Sequence, residues 1–214
     1  MAAILFGVAG ASGSGKSTFV RALQALLNAI GLRVVILSMD HYYRDLSHLS
    51  EYDRHRQNFD HPRALDFPLL REHLRNLQQG QAIHRPIYSF VTHRVEGFEI
   101  IDPAGCDVII VEGIMLFCDD EICKLIGEAS AFVDVGQMSC FWRRLVRDRR
   151  ERGRTVLSIV RQYLLTVLPG WWRHVRPYRS RARFRVRGGG LNVQAQEHAL
   201  NHIQEHHQRL RQSA

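Results

Sequence analysis

The chain has 214 residues, 45% of them hydrophobic, which is enough for the core of one α/β domain over residues 1–214. Its apolar runs are too short to span a membrane and its four cysteines lack zinc-site spacing, so we expect reduced thiols in a cytoplasmic protein with no membrane partner. The net charge of +8 is concentrated in residues 143–187, where fifteen arginines face only Asp148 and Glu151. This charge alone fits nucleic acid and a small polyanion such as ATP equally well.

The first predicted elements are a strand, a glycine-rich loop and a helix. An apolar run at 4–9 predicts a buried strand, "GASGSGKS" at 10–17 follows, and apolar residues at helical spacing then run to a stop at Gly31. Glycines let backbone N–H groups turn toward phosphate oxygens, and the helix start adds a positive dipole end. Lys16 would neutralise the outer phosphates, and the Ser17 hydroxyl would bind Mg²⁺.

The rest of the chain alternates strands with helices. Strands are predicted at 33–38, 107–111 and 131–135, and helices at 67–79, 139–151, 155–168 and 192–211. An alternating stretch at about 82–101 predicts an inserted β-hairpin. The pattern favours a three-layer P-loop NTPase fold with a mostly parallel sheet. The histidines are scattered, and His206 and His207 are expected in a solvated, strongly polar tail helix without a metal site.

Two acids follow predicted parallel strands at their carboxyl ends, where functional groups gather in such sheets. Glu112 stands in the Walker B position, which holds Mg²⁺ directly or through water. Asp40 would then be free to accept the proton of an attacking alcohol. Either acid could instead only cap the next helix or turn, which is a fair alternative for Asp40 on its own.

The chain resembles the uridine (uridine–cytidine) kinases in six segments that follow one another in order. These segments are "SMDHYYRD", "NFDHPRALDF", "RPIYSFVTH", "VIIVEGIMLF", "RRLVRDRRERGR" and "RQYLLTV.P". The resemblance runs from residue 4 to about residue 177. It implies ATP-dependent phosphorylation of the 5′-hydroxyl of uridine and cytidine, with ATP or GTP as donor and Mg²⁺ as cofactor. It also implies a homotetramer that pyrimidine triphosphates inhibit.

The resemblance assigns roles to individual residues. Asp40 takes the place of the general base and acts with Lys16. The ATP-binding residues would be Gly10, Ala11, Ser12, Gly13, Ser14, Gly15, Lys16, Ser17 and Thr18, with Arg147 and Arg152 of an arginine-rich lid at about 143–156. The residues at the nucleoside would be Tyr43, Asp60, Tyr88, Phe90, His93, Ile114, Arg144, Arg154 and Gln162. The metal ligands would be Ser17 and Glu112.

Three positions depart from the family pattern. Ser89 and Arg183 both stand where the family has an acid, and residues 188–190 carry an extra glycine. Phe184 and Val186 alternate with arginines, which predicts a strand with one wet, basic face whose position in the sheet is open. Two other functions stay open: a kinase of ribulose phosphate or pantothenate, and an inactive kinase-like module that binds nucleic acid, although the retained Lys16 and Asp40 argue against the second.

Overall fold

The structure is a computed structural model that describes residues 3–212, apart from the side chains of His55, Glu151 and Arg152. The strands are β1 (Ile4–Gly10), β2 (Val34–Ser38), β3 (Ile83–Ser89), β4 (Arg94–Ile101), β5 (Val108–Gly113), β6 (Ser130–Asp134) and β7 (Phe184–Arg187). The helices are α1 (Lys16–Ala29), α2 (Glu51–His55), α3 (Phe67–Gln78), α4 (Asp120–Ile126), α5 (Gln137–Arg152), α6 (Val156–Gln162), α7 (Leu168–Gly170) and α8 (Val193–Gln212). None of the helices described is long and apolar enough to cross a bilayer.

The main sheet has the strand order β2-β5-β1-β6-β7, and the pairings within it are parallel. The residues of β1 and β5 are buried at every position, as expected for central strands covered on both faces. The predicted hairpin is present as the antiparallel pair of β3 and β4, which form a sheet of their own. The α/β class with a mostly parallel sheet is therefore confirmed.

Helices cover both faces of the sheet, and a hydrophobic core lies under each cover. On one face, α1 and α8 bury side chains such as Leu23, Leu27 and Ile203. On the other, α3 and α4 bury Leu74 and Ile122 among others. Because β1, β2 and β5 are parallel, their carboxyl ends meet at one edge, where the loops after them converge.

The helical region after α5 is longer than predicted. The helix expected at 155–168 begins as α6. The helical run then continues through a π-helical turn at Tyr163–Val167 and through α7. A second π-helical turn at Trp171–Val175 and a 3₁₀ turn at Arg176–Arg181 complete it. The predicted end at Leu168 is wrong because Pro169 is accommodated beside the widened turns, where the Leu168 N–H bonds to the carbonyl of Tyr163 five residues earlier. The short helix α2 was not predicted, since its sequence has little periodicity.

The arginine-rich strand β7 lies at the edge of the main sheet, parallel to β6. Val186 is buried, whereas Arg185 and Arg187 are exposed, so the strand has one apolar and one basic face. The prediction for the end of the chain is partly wrong: His207 is not solvated but buried on the inner face of α8, with its Nε2 atom 3.4 Å from Asp107 Oδ1. That inner face also buries Ala199, which packs in the core and explains why a polar helix docks here.

Candidate active site

The glycine-rich loop joins the end of β1 to the start of α1, as the sequence predicts. Gly15 caps the helix with φ 93, a left-handed backbone that glycine adopts without steric cost. The first turn of α1 carries no acidic residue, so its N–H groups and positive dipole end are available to an anion. This is the geometry of a phosphate-binding loop.

Lys16 and Ser17 begin α1 and connect the loop to β5. The buried Lys16 Nζ atom donates a hydrogen bond to the carbonyl of Ala11 at 3.1 Å. Burial lowers the pKa of this ammonium, while the charges of Glu112 and Asp40 act in the opposite direction. The Ser17 hydroxyl donates to Glu112 Oε1 at 2.8 Å, so a hydroxyl and a carboxylate oxygen converge on one point. Such oxygen atoms are the ligands that Mg²⁺ prefers, and the pair fits that ion.

Asp40 lies at the same edge of the sheet as Glu112. Ser38, the last residue of β2, pairs in register with Glu112 of β5. The chain then makes a 3₁₀ turn at Met39–Tyr42, whose cap is Ser38: its hydroxyl accepts the N–H of Asp40 at 3.3 Å. Asp40 is therefore not the cap of this turn, and its exposed side chain lines the cleft described below.

An aromatic cluster forms one end of the site, where the hairpin meets the loop after β2. Tyr43 packs against Tyr88 and Phe90, with ring centroids 5.4 and 5.8 Å away. Phe59 stacks on His93 at 4.4 Å and an interplanar angle of 18°, and His93 holds a left-handed backbone with φ 54. Burial raises the pKa of both tyrosines, so the rings stay neutral around physiological pH.

Asp60 lies beside this cluster, is only 9% exposed and packs against the helical run after α5. Its Oδ2 atom accepts a hydrogen bond from the Thr166 hydroxyl at 2.7 Å, and its N–H donates to Asn58 Oδ1 at 3.0 Å. The carboxylate is thus held in a fixed direction next to Tyr43 and Phe59.

Arginines from α5 and the loop after it line the opposite wall. Arg144 donates to the hydroxyl of Ser12 at 3.0 Å and to Gln162 Oε1 at 3.1 Å, and Arg154 donates to the same Gln162 oxygen. Asp148, which is fully buried, forms ion pairs with Arg144, Arg147 and Arg154 among the described side chains. The buried carboxylate offsets part of their charge and fixes their direction, which the charge count of the sequence did not reveal.

These groups share one open cleft of about 540 Å³. Its lining contains most of the predicted site residues, namely Ser12, Gly13, Gly15, Lys16, Ser17, Thr18, Asp40, Tyr43, Asp60, Phe90, His93, Glu112, Ile114, Arg144, Arg147, Arg154 and Gln162. Four predicted residues are not part of the lining: Gly10 ends β1, Ala11 and Ser14 lie in the loop after it, and Tyr88 packs against Tyr43 and Phe90. The predicted role of Arg152 rests on a side chain that is outside the described residues.

Sequence reasoning missed several residues that the cleft brings in. Phe59 and Gln57 line it beside Asp60, and Val91 and Arg143 line it from the hairpin and from α5. Phe59 stands inside the "NFDHP" segment, where its position next to Asp60 was the available signal. Arg143 donates to the carbonyl of Ser14 at 3.4 Å, so it contacts the phosphate-binding loop itself.

Comparisons with known proteins show which protein family this chain is similar to. The model of the phosphoribulokinase / uridine kinase family matches residues 5–193. A uridine kinase of Shewanella amazonensis is 40% identical over 192 residues, covering 88% of this chain and 89% of that protein. A uridine kinase of Alkaliphilus metalliredigens is 42% identical over 190 residues, with 88% and 89% covered.

The solved structures share the fold at lower identity. A protein from Silicibacter sp. TM1040 superposes with a TM-score of 0.72 at 24% identity, covering 86% of this chain and 90% of that one. The phosphoribulokinase from Rhodobacter spheroides superposes with a TM-score of 0.64 at 17% identity, covering 87% and 70%. With a matching family model over most of its length and relatives at about 40% identity, this chain belongs to the phosphoribulokinase / uridine kinase family and is a kinase.

Proposed function

We propose that this kinase transfers the γ-phosphoryl group of ATP to the 5′-hydroxyl of uridine and cytidine. The observation that carries the proposal is the layout of one cleft, with the phosphate-binding loop at one end and an aromatic cluster beside a buried carboxylate at the other. Asp40 lines the same cleft from the turn after β2. The curated relatives at about 40% identity are named uridine kinases, which supports this choice of acceptor.

The aromatic end suits a pyrimidine nucleoside. Tyr43 and Phe90 would contact the base through their rings, with Tyr88 behind them and Ile114 adding apolar surface. His93 would read the base edge. Its ring is fixed by the stack on Phe59, and its Nδ1 atom is 3.5 Å from the Tyr88 hydroxyl.

The ribose would be held by Asp60, with Arg144, Arg154 and Gln162 contacting the nucleoside nearby. A carboxylate accepts hydrogen bonds from two vicinal hydroxyl groups, and Asp60 is a buried carboxylate beside the aromatic rings. This contact would orient the 5′-hydroxyl toward Asp40 and the loop. Orientation of this kind is a large part of catalysis when little covalent chemistry is left to the protein.

Asp40 would act as the general base. As the 5′-oxygen attacks the γ-phosphorus, its proton passes to the Asp40 carboxylate, which has no hydrogen bond to the described side chains and is free to take it. Lys16 would neutralise the outer phosphates, and the loop N–H groups would hold their oxygens. Ser17 and Glu112 would hold Mg²⁺, which supplies charge neutralisation at the phosphates.

Arg147 and Arg152 would belong to a lid over the triphosphate, which excludes water and stabilises charge on the transferred group. The unpaired thiols fit a cytoplasmic enzyme, and a homotetramer remains part of the proposal, which light scattering after gel filtration can check.

A panel of acceptors tests the proposal. Purified protein is incubated with ATP and Mg²⁺ and with uridine, cytidine, thymidine, ribulose 5-phosphate or pantothenate, and ADP release is followed. We expect turnover with uridine or cytidine above the other acceptors, and none with the variant Lys16→Ala. Turnover of ribulose 5-phosphate or pantothenate alone would contradict the acceptor. Salt-sensitive binding of nucleic acid without turnover of any acceptor would instead favour a binding module.

A further inference from the structure

The helical run after α5 carries three residues, spaced four apart, that line the cleft or contact a residue of its lining. Gln162 ends α6, Thr166 lies in the first π-helical turn, and Gly170 ends α7. Gln162 accepts hydrogen bonds from Arg144 and Arg154, whereas Thr166 and Gly170 both contact Asp60. These contacts show that one face of the run supports the wall of the site. π-Helical turns are rare and are often found at functional sites.

Thr166 holds the Asp60 carboxylate from this face. Its Oγ1 atom is 2.7 Å from Asp60 Oδ2 and 3.1 Å from the carbonyl oxygen of Gln162. A hydroxyl has one proton to donate, and the charged carboxylate at the shorter distance is the stronger acceptor. Because Asp60 is only 9% exposed, little water is available to replace this bond.

Gly170 fixes how closely the helical run approaches Asp60. A Cβ atom at residue 170 would lie 2.5 Å from the carbonyl oxygen of Asp60 and 3.0 Å from its Cβ atom, which is too close for any side chain. The run therefore touches Asp60 twice, once at the carboxylate and once at the backbone. Two contacts on one residue define both its position and the direction of its side chain.

We propose that Thr166 is a positioning residue for Asp60 and thereby sets the preference of this kinase for ribonucleosides over 2′-deoxyribonucleosides. The inference rests on the proposed function, in which Asp60 receives the ribose diol. With Oδ2 anchored, Oδ1 and the second lone pair of Oδ2 are aimed at the two hydroxyls. Without the anchor, the carboxylate rotates about its terminal torsion and loses the double contact. A substrate with only one of the two hydroxyls loses less.

The test compares variants of residue 166 with uridine and 2′-deoxyuridine. Thr166→Val keeps the shape and removes the hydroxyl, Thr166→Ser keeps the hydroxyl, and Leu165→Ala is a control at a neighbouring residue that is 64% exposed. Binding is measured by calorimetry and turnover is measured separately, with thermal melts to verify folding. We expect Thr166→Val to raise the Kd for uridine about tenfold and the Kd for 2′-deoxyuridine at most about twofold, with a smaller change in kcat. Thr166→Ser and Leu165→Ala should retain the wild-type ratio.

The possible outcomes separate the inference from the proposed function. If the wild type favours uridine and Thr166→Val weakens both nucleosides equally, Thr166 has only a structural role and the inference is wrong. If Thr166→Val changes the Kd of neither nucleoside, the inference is wrong as well. If Thr166→Val does not fold, Thr166→Ala gives the same comparison. If the wild type neither binds nor phosphorylates uridine, the proposed function fails and the inference falls with it.

Discussion

Asp40 and Asp60 line one cleft, yet their surroundings differ. Asp40 is exposed on a short turn after β2, whereas Asp60 is buried and bonded to Thr166. Among the described side chains the Asp40 carboxylate has no hydrogen-bond partner, which suits a carboxylate that takes up a proton, whereas a fixed carboxylate is suited to orient a ligand. These contacts are consistent with the two different roles that we propose for Asp40 and Asp60.

Substitution of the two aspartates should separate chemistry from binding. Asp40→Asn keeps the shape but cannot accept a proton, so we expect kcat to fall by about 10²–10⁴ while the Kd for uridine changes little. Asp60→Asn should instead weaken uridine binding, and it should affect 2′-deoxyuridine less. Calorimetry and single-turnover assays measure the two effects separately. Near-normal turnover in Asp40→Asn would exclude it as the base.

The residues of the site were largely predictable where a motif fixes their spacing. Lys16, Ser17 and Glu112 follow from the loop and from the acid after a buried strand. The structure brings Ser17 and Glu112 within hydrogen-bond distance, and the charge of Glu112 acts on Lys16. Thr166 and Asp148 were not predicted, because their importance depends on partners far away in the chain. Thr166 bonds to a residue 106 positions earlier, and no local pattern contains that information.

Among the elements, α5 and the helical run after it determine the shape of the open cleft. Asp148, on the inner side of α5, pairs with Arg144, Arg147 and Arg154 and so arranges the basic wall as one unit. The continuation of the helical run past Pro169 could not be predicted, because proline normally ends a helix. Nothing in the local sequence marks the π-helical turns that accommodate this proline. The hairpin, in contrast, was predictable from its alternating pattern.

Removal of Arg147, which we propose belongs to a lid over the triphosphate, should affect the rate more than ATP binding. We expect Arg147→Ala to lower kcat by about 10²-fold with little change in the KM for ATP, because charge on the transferred group develops in the transition state. Arg150→Ala is the matched control, since Arg150 lies on the same helix and is exposed. Steady-state kinetics at saturating uridine measure both constants. A raised KM for ATP with unchanged kcat would indicate simple charge attraction instead.

The fold of the whole chain partly or fully buries several titratable groups that do not line the cleft. The pKa values of four histidines are lowered from 6.5 chiefly by burial: His41, His73, His174 and His202. Well above pH 6.5 these histidines are neutral in both the folded and the unfolded chain. Below it the unfolded chain binds protons that the folded chain does not, so the free energy of unfolding decreases as the pH falls toward the lowered values.

Urea unfolding across this range tests the sign. We expect a lower free energy of unfolding at about pH 5.5 than at about pH 7.5. His73→Asn should reduce the difference, because asparagine does not titrate and still offers a partner to the Tyr42 hydroxyl, which is 2.8 Å from His73 Nδ1. His48→Asn, at an exposed position, is the control. Equal pH dependence in wild type and His73→Asn would contradict the role of burial at this histidine.

Analysis of the reaction products identifies the atom that accepts the phosphoryl group. Wild-type protein with ATP and Mg²⁺ is given uridine or 5′-deoxyuridine, which lacks only the attacking hydroxyl, and the products are identified by phosphorus NMR. We predict uridine 5′-monophosphate and ADP from uridine, no nucleotide from 5′-deoxyuridine, and competitive inhibition of uridine turnover by 5′-deoxyuridine. Phosphorylation of 5′-deoxyuridine, or a uridine product carrying phosphate at the 2′- or 3′-oxygen, would contradict the account.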